Sequence, residues 1–352
     1  MANSLVVMAV TAVAGLVLAL GVAGSWEAPP ADVPQTEITN GELSAKLYLP
    51  DAHIGYYRGT RFDWSGVIAA LEYKGHNFYG AWYTRVDPSV HDFKYEGANI
   101  VVSTCSGATG PVEEFQTNGT ALGFDEAKVG GTFIKIGVGV LRKDRDKYDF
   151  VKQYELVDPG KWRVETHPGA VTFIQELADP AAGYAYVYRK TVRLVPGKPQ
   201  MVLEHHLKNT GRRAIQTKVY NHNFLVLDHQ TSGPDFSITF PFELHASKSI
   251  SDLARTSGHQ LVFKKVLEGE DVVYTELGGF SDSPHDHEVR IENRHAGAGM
   301  LIRGDRPLSD LHFWAIRSVL AAEPFISMSI DPGKESDWNV TYEYYTLPPS
   351  AK

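Results

Sequence analysis

Short runs of apolar or alternating residues, separated by turn sequences, make up nearly all of this 352-residue chain after residue 44. Val, Ile, Tyr and Phe are frequent within the runs, and Gly, Pro, Asn and Asp between them, which is typical of short β-strands joined by tight turns. Outside the N-terminal segment no stretch has sustained helical periodicity. The predicted fold class is therefore all-β, a large antiparallel β-sandwich. The predicted strands are 45–49, 67–73, 99–103, 133–141, 171–177, 184–194, 201–207, 217–227, 236–242, 261–266, 271–277, 287–291, 299–302, 311–319, 326–330 and 340–345.

Two parts of the pattern also predict how the runs are arranged. Residues 133–140 alternate apolar side chains with lysine or glycine, which indicates one continuous strand. Residues 201–208 and 214–224 flank the turn sequence Asn-Thr-Gly at 209–211. The simplest interpretation of that flanking is a β-hairpin.

An almost unbroken apolar run, residues 5–23, stands at the N-terminus and ends in small residues. This pattern is typical of a secretory signal peptide, which we predict over residues 1–24. An uncleaved membrane anchor is the alternative, because the run is just long enough to span a bilayer. Residues 25–40 predict a proline-containing linker, and residues 41–352 a single domain without repeats. Both interpretations export the domain, so we expect a periplasmic or secreted protein with no membrane span after signal cleavage.

The charge of the chain narrows the choice of partner. Its net charge is -8 and its pI is about 6.0, and no lysine or arginine cluster offsets this balance. We therefore expect no nucleic-acid partner, and a neutral, sugar-like ligand fits better than a polyanion. Residues 283–288 hold metal-capable side chains, but their spacing matches no zinc or calcium motif. No phosphate-loop, nucleophile-elbow or dinucleotide motif is present, so we expect neither metal nor cofactor. We also expect a monomer or a weak dimer.

Polar residues interrupt one of the strongest strand signals of the chain. Asn221, His222 and Asn223 lie consecutively within residues 217–228, which otherwise look like core. Burying polar side chains is unfavourable unless each finds a partner or a ligand. The triplet is therefore either a satisfied part of the core or part of a site, and histidine is well suited to exchange protons near neutral pH.

Glu323 is the second candidate, and it follows an aromatic strand that contains Trp314. A solvated turn carboxylate is the alternative there, because Glu323 lies between small residues and a proline. The segments around both candidates resemble a known family, however. Residues 220–225 resemble the Asn-His-x-x-Phe strand of the aldose 1-epimerases, the galactose mutarotase-like family, and residues 208–211 stand where that family has its turn.

Two further segments extend the resemblance. Residues 322–324, followed by the turn at 332–335 and a final aromatic strand, resemble the C-terminal carboxylate motif of the family. Residues 59–62 are similar to its early segment, whose arginine contacts sugar hydroxyls. The order of Arg61, then the histidine, then the glutamate is that of the family, and the resemblance extends from about residue 55 to residue 345.

The resemblance implies a many-stranded sandwich with a shallow sugar cleft on one concave sheet. It implies that His222 is the general acid, which protonates the ring oxygen, and that Glu323 is the general base, which removes the anomeric proton. Opening a hemiacetal needs one proton removed and one delivered, so two titratable groups at one carbon suit this chemistry. The chain is thus predicted to be an aldose 1-epimerase-like isomerase that acts on a carbohydrate or glycoside.

The predicted substrate-binding residues complete this hypothesis. Two tryptophans are expected to stack on sugar rings, and a histidine near residue 75 is the nearest equivalent of another histidine of the family. The full set is Arg61, His76, Trp82, Asn221, Asn223 and Trp314. Two alternatives remain open: a carbohydrate-binding protein without turnover, and a polysaccharide lyase or other glycoside-modifying enzyme on the same fold.

Overall fold

The computed structural model describes residues 32–246, 250 and 252–348. The predicted signal peptide, residues 1–24, and the first part of the predicted linker lie outside these residues. Within the described part, no helix is long and apolar enough to cross a membrane.

Strands dominate the described residues, with two short 3-10 turns at Leu227–His229 and Pro284–Asp286. The prediction of an all-β fold is therefore confirmed. The strands are β1 (Gln35–Thr39), β2 (Leu43–Tyr48), β3 (Val67–Tyr73), β4 (His76–Asn77), β5 (Arg85–Val86), β6 (Phe93–Glu96), β7 (Asn99–Val102), β8 (Gly110–Gln116), β9 (Thr132–Lys135), β10 (Gly139–Arg142), β11 (Leu156–Asp158), β12 (Lys161–His167), β13 (Ala170–Asp179), β14 (Tyr184–Leu194), β15 (Gln200–Asn209), β16 (Ile215–Phe224), β17 (Phe236–Thr239), β18 (His245–Ala246), β19 (Ala254–Ser257), β20 (Gln260–Phe263), β21 (Val272–Gly278), β22 (Glu288–Asn293), β23 (Ala298–Gly304), β24 (Asp310–Ile316), β25 (Val319–Ile330) and β26 (Glu335–Thr346).

Two large sheets form the body of the molecule. The larger has ten strands in the order β12-β13-β14-β15-β26-β23-β22-β17-β20-β19, and the smaller has six in the order β18-β21-β24-β25-β16-β8. All neighbours in these two sheets are antiparallel. The smaller sheets β1-β2-β3-β4, β11-β10-β9 and β5-β7-β6 complete the fold, and the β5–β7 pair is parallel.

The main apolar core lies between the ten-stranded and the six-stranded sheet. Leu203 on β15 and Tyr342 on β26 belong to the same buried cluster as Phe313 on β24 and Leu320 on β25. Strand alternation brings them there: β14, for example, buries every second residue along its length. Burying a side chain of this size contributes about 1.5–3 kcal/mol. Apolar burial therefore holds the two sheets face to face, as in a sandwich.

The prediction of one strand over residues 133–140 is wrong. The segment is a tight hairpin of β9 and β10, in which Lys135 pairs with Gly139. Gly137 turns the chain with a φ of 79°, which glycine adopts without steric cost. A Cβ at this position would lie 2.5 Å from the Asp63 carboxylate, so the alternation of the sequence is interrupted by a glycine that only the fold requires.

The predicted hairpin of residues 201–224 is also wrong. β15 lies between β14 and β26 in the ten-stranded sheet, whereas β16 lies between β25 and β8 in the six-stranded sheet. The side-chain amide of Asn209 fixes this crossover by donating to the carbonyls of Arg213 and Ile330, each at 2.8 Å. The turn sequence is real, but it joins two layers of the sandwich because each strand finds better partners in its own sheet.

Two strands matter that the sequence does not predict. The end of the predicted linker forms β1 and pairs with β2. Ile38 is the one buried residue of β1, so this strand has almost no apolar pattern. β8 has a Gly-Pro start and two consecutive glutamates, which favour an exposed turn in a sequence. It instead forms the edge of the six-stranded sheet beside β16.

Candidate active site

His222 and Glu323 lie side by side on the outer face of the six-stranded sheet. β16 and β25 are paired as far as Tyr220 and Phe325, and the continued register brings the histidine opposite the glutamate. His222 Nε2 lies 3.1 Å from Glu323 Oε1. The two side chains are 6% and 8% exposed, respectively. The structure thus brings the two predicted catalytic residues into direct contact in a buried position.

Aromatic rings surround the imidazole of His222. Phe224 stacks on it with 3.8 Å between ring centroids, and Phe62 and Trp314 meet it edge-on, each at 5.6 Å. This burial lowers the pKa of His222 well below its ordinary value, and the positive charge of Arg61 acts in the same direction. The imidazole is therefore neutral at neutral pH.

The carboxyl of Glu323 is shifted in the complementary direction. Burial raises the pKa of Glu323 to about 8, Arg61 opposes that shift, and Glu114 adds to it. A neutral carboxyl beside a neutral imidazole holds one exchangeable proton between the two groups. This state of the pair persists through neutral pH, because the pKa of His222 is lowered while the pKa of Glu323 is raised, and the two values lie on either side of neutral pH.

The second ring nitrogen of His222, Nδ1, is buried without a hydrogen-bond partner among the described residues. Leaving such a group unsatisfied costs about 1–3 kcal/mol. No group in the described part of the chain therefore fixes the tautomer of His222 through Nδ1. The position of the shared proton depends on Glu323 and on what enters the pocket.

Arg61 is held beside this pair by Glu114. Its Nε donates to Glu114 Oε2 at 2.9 Å, and the hydroxyl of Tyr220 donates to the same oxygen at 2.6 Å. The guanidinium carbon lies 4.4 Å from the ring centroid of Phe62 and 4.7 Å from that of Phe150. These contacts fix the plane of the guanidinium, and its Nη2 donates to the hydroxyl of Tyr220 at 3.3 Å.

Glu114 itself is ionised despite complete burial. Burial alone would raise the pKa of Glu114, but Lys135 and Arg61 outweigh it and hold that pKa at about 2. Lys135 Nζ donates to its other oxygen at 2.8 Å. Glu114 is therefore a fixed negative charge that orients Arg61.

A cavity of about 220 Å³ opens over these side chains. Arg61, His222 and Glu323 line it together with Trp82 and Trp314. The two tryptophans meet edge-to-face with 5.6 Å between centroids, and the indole nitrogen of Trp82 donates to the Ala108 carbonyl at 3.0 Å. Trp82 therefore presents a ring surface rather than a donor. Five of the eight predicted site residues share one pocket.

The other three predicted site residues do not line this pocket. Asn221 and Asn223 face the opposite side of β16, towards the ten-stranded sheet, because neighbouring strand residues point to opposite faces. Asn221 donates to Glu113 Oε1 at 2.7 Å, and Asn223 donates to the Ala322 carbonyl at 2.8 Å. His76 Nδ1 lies 2.7 Å from Asp228 Oδ2. These three side chains are engaged with protein groups away from the acid–base pair.

Sequence reasoning missed the residues that surround and support the pair. Glu113 and Glu114 lie on the unpredicted strand β8, and Lys135 ends β9; all three are almost completely buried. Asp92 and Tyr274 also line the pocket. The sequence offers one signal for these residues, the adjacent glutamates at 113 and 114 next to a phenylalanine. Within a strand, two adjacent glutamates point to opposite faces, so at least one of them needs a partner in the core.

Solved structures show which fold this arrangement belongs to. The galactose mutarotase related enzyme from Lactobacillus acidophilus gives a TM-score of 0.52 at 13% identity, over 90% of this chain and 99% of that one. The Slr1438 protein from Synechocystis sp. PCC 6803 gives 0.53 at 11% identity, over 91% of this chain and 98% of that one. A candidate aldose 1-epimerase from Escherichia coli K12 gives 0.52 at 9% identity, over 90% and 100%.

No protein-family model matches the chain, and no curated protein matches it. The similarity to the solved structures extends over nearly the whole of each chain, at identities where it is a similarity of fold. The protein therefore has the galactose mutarotase-like fold that its sequence motifs resemble.

Proposed function

We propose that this protein is a carbohydrate isomerase of the aldose 1-epimerase type, which interconverts the anomers of a sugar by opening and closing its ring. The observation that supports this most is the buried contact of His222 with Glu323, 3.1 Å apart in a pocket with aromatic walls. The pair holds one proton at neutral pH, and ring opening needs one proton accepted and one donated.

The chemistry balances on these two groups. One member of the pair accepts the proton of the anomeric hydroxyl while the other donates a proton to the ring oxygen. The bond between C1 and the ring oxygen then breaks and leaves an aldehyde. Rotation about C1–C2 and the reverse transfers close the ring in either anomer. The pair regains its single proton, so no other reactant is consumed. The family resemblance makes Glu323 the base and His222 the acid. These roles require that the proton of the pair lies on His222 Nε2 when the sugar is bound, whereas the raised pKa of Glu323 and the lowered pKa of His222 favour that proton on Glu323 in the free protein.

The rest of the pocket suits a sugar. Trp82 and Trp314 offer ring surfaces to the apolar face of a pyranose. Arg61 keeps its Nη1 for a sugar hydroxyl, because its Nε donates to Glu114 and its Nη2 donates to the hydroxyl of Tyr220. The substrate must enter between His222 and Glu323 and replace their mutual contact with contacts to the hemiacetal oxygens.

Proton NMR of anomeric equilibration tests this proposal. Freshly dissolved α-glucose and α-galactose are followed with wild type, His222→Ala and Glu323→Gln, against the spontaneous rate. We expect wild type to accelerate equilibration and each substitution to lower kcat by about 10²–10⁴, the range for a general acid or base. Glu165→Gln, an exposed change on β12 of the other large sheet whose ion pair with Arg163 lies outside the pocket, serves as the folding control. A folded wild type that accelerates neither sugar contradicts the proposal.

A carbohydrate-binding protein without turnover is the second candidate. The position of His76 favours it, because this nearest equivalent of a further family histidine is bound to Asp228 outside the pocket. This candidate predicts sugar binding that survives His222→Ala and is lost in Trp314→Ala. A polysaccharide lyase fits less well. Among the described residues that line the pocket, Arg61 is the only lysine or arginine, and Asp92, whose carboxylate lies 4.0 Å from the guanidinium, lines the same pocket and would repel a uronate.

We further propose that the mature protein acts in the periplasm or outside the cell. The apolar run of residues 5–23 with its small-residue end supports this location. N-terminal sequencing of the protein from its native host tests it, with a mature chain that begins near residue 25 as the expected result. A chain that retains residues 1–24 and sediments with membranes supports the anchor instead.

A further inference from the structure

A second, larger cavity lies on the same sheet face as the His222–Glu323 pocket. It has a volume of about 630 Å³, roughly three times the 220 Å³ of the pocket. Its floor consists of the next residues of the same face: Lys218 and Gln216 on β16, and Ser327 and Ser329 on β25. We call this cavity the groove.

The groove lies next to the pocket. Phe325 lines the groove and stacks on Tyr220 with 4.2 Å between centroids, and Tyr220 is bonded to the Glu114 that anchors Arg61. His312 also lines the groove, and its ring lies 5.9 Å from that of Tyr274, which lines the pocket. At a rise of about 3.4 Å per residue, the groove extends roughly 14 Å along β25 from Phe325 to Ser329, and its far end lies roughly 20 Å from Glu323.

The chemistry of the groove is polar without being charged overall. Lys218 Nζ donates to Asp310 Oδ2 at 2.6 Å, so the two charged side chains neutralise each other. Gln116, Gln216 and Ser327 line the groove and have no side-chain hydrogen-bond partner among the described residues. An aromatic floor at Phe325 with free amides and hydroxyls around it matches a neutral, polyhydroxylated chain better than an apolar peptide or a polyanion.

We propose that the groove is a subsite for the further units of a neutral oligosaccharide whose terminal unit occupies the His222–Glu323 pocket. This proposal rests on the proposed function in one respect, that the pocket takes a sugar. Only the reducing-end unit of such a chain has a hemiacetal. The reducing end therefore enters the pocket, and the units towards the non-reducing end lie along β16 and β25. A free monosaccharide would leave the groove empty.

The first test measures affinity against chain length. Ligand-observed NMR with free reducing mono-, di-, tri- and tetrasaccharides of the common neutral hexoses and pentoses identifies the preferred series, and calorimetry then measures its members. We expect the affinity to rise by at least about tenfold from the monosaccharide to the trisaccharide, the gain from one or two added hydrogen bonds. Equal affinity at every length, or no binding to any glycan, overturns the proposal.

A groove variant supplies the matched comparison. Ser327→Trp fills the floor of the groove, and Ser257→Trp, at an exposed position on β19 of the other large sheet, makes the same change elsewhere. We expect Ser327→Trp to abolish the gain in affinity with chain length and Ser257→Trp to preserve it. Identical chain-length profiles for the two variants contradict the subsite.

The two proposals fail separately. Chain-length dependence without accelerated anomeric equilibration refutes the isomerase and keeps the groove. Accelerated equilibration of monosaccharides without chain-length dependence refutes the groove and keeps the isomerase.

Discussion

Glu113 and Glu114 on β8 differ from Glu323 on β25 in how their burial is compensated. Glu113 is in contact with Lys190, and Glu114 lies 2.8 Å from Lys135. Burial would raise the pKa of both glutamates, but their lysines outweigh it, so both pKa values are lowered. Glu323 lies against a neutral imidazole instead, and burial raises its pKa to about 8.

This contrast separates structural carboxylates from a reactive one. A buried carboxylate with a cation keeps its charge over the physiological range and exchanges no protons there. A buried carboxyl without a cation can gain or lose a proton near neutral pH, which is the property a general acid or base needs. The six-stranded sheet therefore holds both kinds of carboxylate, on β8 and β25, with only β16 between them.

The largest expected effect tests the structural side of the contrast. Glu113→Gln leaves Lys190 buried without its main partner, and Asp63, 3.8 Å away, compensates only in part. We expect a loss of about 3–5 kcal/mol in the free energy of unfolding, as for other broken buried ion pairs. Urea denaturation at pH 7 measures it.

An exposed pair provides the control for that measurement. Glu288 lies 2.7 Å from Arg303 across β22 and β23, and Glu288→Gln should cost about 0–1 kcal/mol. If Glu113→Gln costs no more than this control, the buried pair does not carry the stability that we assign to it.

The second prediction concerns the cost of keeping Glu323 buried. The pKa of Glu323 is about 8 in the folded protein and ordinarily 4.5, so the folded state holds a proton that the unfolded state has lost between these values. Wild-type stability must therefore fall as the pH rises from 4.5 to 8. Glu323→Gln has no proton to lose at this position, so its free energy of unfolding should not show this fall. The difference in free energy of unfolding between the variant and wild type should therefore grow in favour of the variant by about 2–4 kcal/mol from pH 5 to pH 9. Thermal or urea unfolding at both pH values measures the gain, and a difference that does not change with pH contradicts the raised pKa.

The third prediction uses the catalytic readout. Once the pair loses its shared proton it has no acid, so kcat/KM for anomeric equilibration should fall about tenfold per pH unit above pH 8. Glu114 has a pKa of about 2, so it stays ionised and does not change the rate between pH 5 and pH 9. The measurement is the NMR rate after subtraction of the spontaneous reaction at each pH. A rate that keeps rising to pH 9 would assign the base to a group outside the pair.

Much of the site is visible in the sequence because two strands carry polar residues where apolar ones are expected. A histidine flanked by asparagines in a core-like run marks β16, and an Ala-Glu-Pro segment before a closing aromatic strand marks β25. Strand alternation then places polar groups on both faces. It does not say which face holds the site, so the sequence predicts Asn221 and Asn223 as site residues together with His222, although in the structure they bond to groups in the core.

The glutamates of β8 show the opposite case. In the sequence, Gly-Pro followed by two glutamates indicates an exposed turn, and nothing local reveals that Lys135 and Lys190 come from other strands to neutralise them. Charged residues are buried only when distant partners meet them. Local pattern therefore misplaces such residues.

The sequence by itself determined the all-β class and singled out the histidine and the glutamate as candidates, because strand periodicity and polar interruptions are local properties. The tertiary structure alone decided that β15 and β16 belong to different sheets and that His222 meets Glu323. It alone also decided which buried carboxyl lacks a cation. These outcomes depend on contacts between residues far apart in the chain. The pKa of a buried group depends on such contacts too, because burial, neighbouring charges and hydrogen bonds all shift it.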